Sequence, residues 1–122
     1  MALQSRIVQS GLSAINAQAI QGTVANTLTA TGSTQATALA LAADVNRFTS
    51  VAGSTGAILP AMNPGDSMEV INSTATALSL YPPVGGAINA VATNGAYSIA
   101  AATPFCKVRC VTPTQYIAMQ SA

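Results

Sequence analysis

The sequence predicts an all-β domain, a β-sandwich or barrel-like fold preceded by an N-terminal arm or short helix. From Thr27 onward, apolar residues recur with a period of two, the spacing of a strand with one buried face. Clusters of Gly, Pro, Asn and Ser interrupt these runs at spacings of about ten residues, the rhythm of short strands and turns. No segment after residue 44 carries a helical period. The arm covers residues 1–26 and the β-domain residues 27–122.

In the arm, Val8, Leu12, Ile15 and Ala19 lie four, three and four apart, which would place a narrow apolar stripe along a helix. Gly11 weakens that helix and Gly22 can end it. An extended arm lying across a neighbour is the alternative, and the residues leave both open. Either way the stripe has too few apolar companions in its own segment, so it must dock on something.

Thr27–Thr31 and Thr37–Leu41 read as weak strands around Gly32-Ser33, although the alanine-rich second run also suits a short helix. Val45–Val51 alternates, Gly53–Gly56 turns, and Ala57–Leu59 is a short strand before the loop Pro60–Asp66. Ser67–Asn72 and Ala75–Tyr81 flank a turn at Ser73-Thr74. Pro82 and Pro83 donate no backbone hydrogen bond, so pairing must stop after Tyr81. Gly85 and Gly86 then permit the positive φ needed to turn into Ala87–Val91. This stretch is a corner and not a phosphate cradle, because no helix start follows it and Lys and Arg are absent between residues 48 and 106. Tyr97–Ala102, Phe105–Val111 and Gln115–Met119 complete the series.

Composition narrows the function. Of 122 residues only 6% are charged, against roughly 25% in ordinary soluble domains. The charges are Arg6, Asp44, Arg47, Asp66, Glu69, Lys107 and Arg109, for a net +1. Half of the chain is hydrophobic while aromatics make up 4%, so alanine supplies much of the apolar content. Alanine offers little area to bury, which implies a weak core. A surface this poor in charge implies cover by further copies of the chain or by a large partner. The uncharged intervals are interrupted too often by polar residues to cross a membrane. No secretory signal is expected, since polar residues break the stretch before Ala17-Gln18-Ala19, and synthesis in a cytoplasm is the reading.

Catalytic chemistry has little to work with. The absence of histidine excludes imidazole bases, His triads and the commonest metal ligand. Asp66 and Glu69 are too few for a tight calcium loop and read as a loop Asp holding backbone amides and an edge-strand Glu. Cys106 and Cys110 face inward on one strand, about 13 Å apart, too far for a disulfide, which needs roughly 5.5 Å. They read as free core thiols, with no metal site. Lys107 and Arg109 share the opposite, outward face. Two cations are too few for nucleic acid, and they supply solubility, edge protection or a salt bridge to a partner's acidic patch. The aromatics Phe48, Tyr81, Tyr97, Phe105 and Tyr116 are spread singly along the strands and read mostly as core or corner residues. No enzyme, cofactor or catalytic residue is expected.

Val51–Asn89 carries a further pattern: a valine-rich strand, a Gly-containing turn, "ILP", a "PGD" loop, the "VIN" strand, and then "LYPPVGGAIN". This segment, about a third of the chain, resembles one found in small virion proteins of tailed bacteriophages. The resemblance implies a non-enzymatic structural protein of the bacteriophage virion, of the capsid decoration, cement or head-fibre type. It would be a homo-oligomer, with a homotrimer favoured, seated on the major capsid protein at the outer capsid surface. The arm stripe together with Lys107 and Arg109 would supply attachment or oligomer contacts. The alternative is a tail-fibre or head-fibre module that binds a host receptor or glycan through exposed tyrosines such as Tyr81, Tyr97 or Tyr116.

Overall fold

The computed structural model describes residues 22–121. These residues form ten strands: β1 (Val24–Thr29), β2 (Leu39–Ala40), β3 (Val45–Ser50), β4 (Gly56–Ile58), β5 (Ser67–Asn72), β6 (Leu78–Tyr81), β7 (Ala87–Ile88), β8 (Tyr97–Ile99), β9 (Thr103–Thr112) and β10 (Gln115–Gln120). The described residues contain no helix, so the fold is all-β, and the alanine-rich run before Asp44 contributes the short strand β2. β1 begins at Val24, inside the segment assigned to the arm. The stripe Val8, Leu12, Ile15 and Ala19 lies outside the described residues.

The strands form two mixed sheets, a six-stranded one in the order β1-β3-β5-β9-β10-β7 and a four-stranded one in the order β2-β4-β6-β8. Through β6 the chain alternates between them. Each pass lays one strand in the larger sheet and the next in the smaller. Neighbours within a sheet are therefore parallel, from Val24 to Val45 to Glu69 in one and from Leu39 to Ala57 to Leu80 in the other. Parallel neighbours need a long crossover, usually a helix. Here a strand of the opposite sheet fills that role. Only the end of the chain reverses direction: β8 runs antiparallel to β6, and the hairpin β9–β10 runs antiparallel onto β5.

Both sheets bury one side in a common apolar cluster. It includes Phe48, Val70, Cys106, Val108 and Tyr116 from the larger sheet, and Ala57, Leu78, Leu80 and Ile99 from the smaller. Ala30, Ala57 and Ala118 are the alanines it contains. The weak alanine core implied by composition is thus corrected. Alanines such as Ala36, Ala52, Ala75, Ala90 and Ala101 are exposed, so this small residue is spent on the surface.

The proline–glycine corner behaves as its residues demand, with the two glycines taking separate tasks. Gly86 N donates to Pro83 O at 2.9 Å, closing a turn in which Gly85 holds φ +87°. Gly86 instead serves close packing, because a Cβ there would meet Pro83 O and Tyr116 Cε2 at 3.1 Å. Asn94 fastens the corner from outside: its Oδ1 accepts from Gly85 N at 2.6 Å, and its backbone N–H donates to Gly86 O at 2.8 Å.

A second clamp lies inside. Asn72, fully buried at the end of β5, donates from Nδ2 to Thr76 O at 2.9 Å and Ala100 O at 3.1 Å. Its Oδ1 accepts from Thr74 N at 3.1 Å and Thr74 Oγ1 at 2.7 Å. One side chain thereby ties the β5–β6 turn to the β8–β9 turn. Asn72→Ala strands these buried partners and is expected to lower the unfolding free energy by about 3 kcal/mol in urea denaturation. A loss below about 1 kcal/mol would show that the clamp contributes no more than an ordinary surface contact.

Candidate interaction face

Strand β9 presents two different surfaces. Cys106, Val108 and Cys110 point inward and are 0%, 0% and 1% exposed. Phe105, Lys107, Arg109 and Val111 alternate with them on the outside, as strand geometry requires. β10 repeats the pattern, with Tyr116 and Ala118 inside and Ile117 and Met119 outside. The antiparallel register sets Ile117 opposite Arg109 and Met119 opposite Lys107. On the other flank, β5 places Ser67 beside Arg109 and Glu69 beside Lys107.

The result is a shallow depression of about 350 Å³ lined by Phe105, Lys107, Arg109, Val111, Ile117 and Met119. Ile117, Val111 and Met119 are 45%, 50% and 70% exposed. An isolated exposed aliphatic residue needs no explanation, whereas a contiguous group of them around two cations is a candidate for contact. The inward cysteines are free, as expected. Lys107 and Arg109 do share an outward face, but β9 is hydrogen-bonded on both sides, so edge protection is not their role. Glu69, expected on an edge strand, likewise lies on the interior strand β5. Among the aromatics expected to be mostly core or corner residues, Phe105 is exposed on this face. Sequence reasoning picked out the cations and missed Val111, Ile117 and Met119, although the alternation in "CKVRCV" and "YIAM" carries the signal.

Among the described residues, Arg47 and Glu69 also lie on strands of the larger sheet, and the two aspartates lie next to them. Asp44 lies immediately before β3 and Arg47 within it, while Asp66 lies immediately before β5 and Glu69 within it. The smaller sheet, β2-β4-β6-β8, has no Lys, Arg, Asp or Glu in any strand. Asp44 Oδ2 accepts from Thr23 N at 2.8 Å, and Asp66 Oδ2 accepts from Asn63 N at 3.0 Å. Asp66 thus holds a backbone amide of its own loop, as expected. The tyrosine hydroxyls are engaged too: Tyr81 donates to Ser33 O, Tyr116 donates to Pro113 O, and Tyr97 accepts from Gln120 Nε2.

Comparison with protein families, characterised proteins and solved structures finds no match to this chain. The face therefore has to be read from its own chemistry.

The inner side of β9 makes a pH prediction. Burial pushes the Cys106 thiol from 9.0 up to about 11, because desolvation penalises the thiolate. The folded value exceeds the unfolded one, so this contribution to stability is complete below about pH 9 and fades as pH rises through about 11. Cys106→Ser, compared with the parent by denaturation across pH 7–11, should remove that part of the alkaline decline. An identical decline in both proteins would show that Cys106 is not its source.

Proposed function

We propose that this chain is a non-enzymatic structural protein of a bacteriophage virion, a capsid decoration or cement protein that works by covering surface. The observation that carries the reading is the separation of charge. One sheet bears every charged side chain of the described strands, and the other bears none. The side without charge suits contact between copies, because no charge has to be desolvated when it is covered. The resemblance of Val51–Asn89 to virion proteins supplies the setting: the outer capsid surface, with the major capsid protein as partner and a trimer as the unit. In this reading the two sheets face each other as a sandwich, with the charged sheet and the arm turned toward the lattice.

Two measurements test it. The purified protein should sediment as an oligomer and should bind particles assembled without it. Ser98, exposed on β8 opposite Ser79 of β6, sits within the uncharged sheet. Ser98→Lys should weaken self-association by at least about tenfold, since a charge would have to be buried without a partner. Its circular dichroism should match that of the parent. A protein that sediments as a monomer and ignores such particles would remove the reading.

A further inference from the structure

We propose that the outer face of β9 and β10 is a docking site for a foreign protein segment that presents apolar side chains flanked by a carboxylate. This rests on the virion reading only for the partner's identity, a protein of the capsid lattice. The chemistry comes from the face itself. Phe105, Val111, Ile117 and Met119 offer apolar contact on both sides of Lys107 and Arg109. In the strand register Lys107 has Glu69 beside it, but Arg109 has only Ser67 and Ile117. Arg47 on the same sheet is different, since its Nε donates to Ser73 Oγ at 3.1 Å and its Nη1 to Asn26 Oδ1 at 3.3 Å. The face therefore combines a desolvatable apolar surround with a guanidinium suited to a carboxylate.

The molecule's own carboxylates fit this role poorly. Asp44 and Asp66 accept backbone N–H groups, and Glu69 already lies beside Lys107. Residues 1–21 contain one cation, Arg6, and no carboxylate, so a segment of this chain brings no complementary charge. Strand addition is excluded as well. β9 is paired with β5 and β10, while on the other side of β10 the strand β7 covers Gln115 and Tyr116 and the Asn89 side chain holds both backbone groups of Ala118, so the occupant engages side chains and not backbone. Two cations with Glu69 among them also make a poor match for an anionic bilayer, whose recognition takes a cluster of several Lys and Arg.

The test uses the full chain, isotopically labelled, and a soluble peptide bearing two leucines and two glutamates. The control peptide has lysines in place of the glutamates. The acidic peptide should shift the amide resonances of residues 105–111 and 117–119, and the basic one should not. Arg109→Glu should weaken the acidic peptide by at least about tenfold, with the difference shrinking in high salt. Equal response to both peptides, no response at this face, or preferential binding to phosphatidylserine vesicles would overturn the proposal. So would a change of oligomeric state in Ile117→Asp, which would make the occupant a second copy. Particle binding separates the two readings. If Arg109→Glu binds particles as well as the parent does, the docking site is wrong and the virion role stands. If the parent ignores particles yet takes the acidic peptide, the docking site stands and the virion role fails.

Discussion

The pairing of β9 with β5 on one side and β10 on the other is the constraint on which the larger sheet depends. β5 is the last of three parallel strands laid down by a chain that alternates between sheets. Continued winding would have left β5 as an edge with its backbone groups unpaired, a known liability. β9, ten residues long, runs antiparallel along it and closes that edge. The hairpin then carries the sheet onward through β10 to β7, so β9 becomes an interior strand. Its inward side must therefore be apolar and compact, which Cys106, Val108 and Cys110 satisfy. Its outward side is left free to differ.

That freedom is where chemistry enters. A strand has two faces, and burial constrains only one of them. In the smaller sheet the free face is uncharged, with Ser79 and Tyr81 on β6 and Ser98 on β8. On β9 and β10 it is instead large, apolar and cationic. The difference does not arise from any demand of the core, since the inward residues of β9 would pack equally well beneath serine and threonine. Side chains that the fold does not require, gathered in one patch, are better explained by something that covers them.

The separation of charge between the sheets follows from the same winding. Alternate strands go to alternate sheets, so stretches of sequence map to sheets in regular order. Asp44 and Arg47 fall on one pass through the larger sheet, Asp66 and Glu69 on the next, and Lys107 and Arg109 on β9. The uncharged intervals between them contain the strands of the smaller sheet. A pattern that looks like mere scarcity of charge along the chain becomes a division between two surfaces once the chain is wound. This division leaves charged side chains on strands of the larger sheet and none on those of the smaller.

Much of this was legible in the residues themselves. Strand positions after Asp44 follow from a period of two and from Gly and Pro punctuation, both local properties of the backbone. The proline corner after Tyr81 and the inward cysteines of β9 are of the same kind, and so is the shared outward face of Lys107 and Arg109. The pairing of strands was not legible. A spacing of about ten residues suits a meander and an alternating parallel winding equally, and the choice depends on burial between residues far apart in sequence. Alanine's place on the surface was likewise decided by the tertiary structure, because larger residues from two sheets together suffice to fill the core. The neighbours of Arg109 belong to this second class: Ile117 follows it closely in sequence, but Ser67 reaches it only because β9 folds back onto β5. Local chemistry determined which side chains point outward, and long-range packing decided which of them meet.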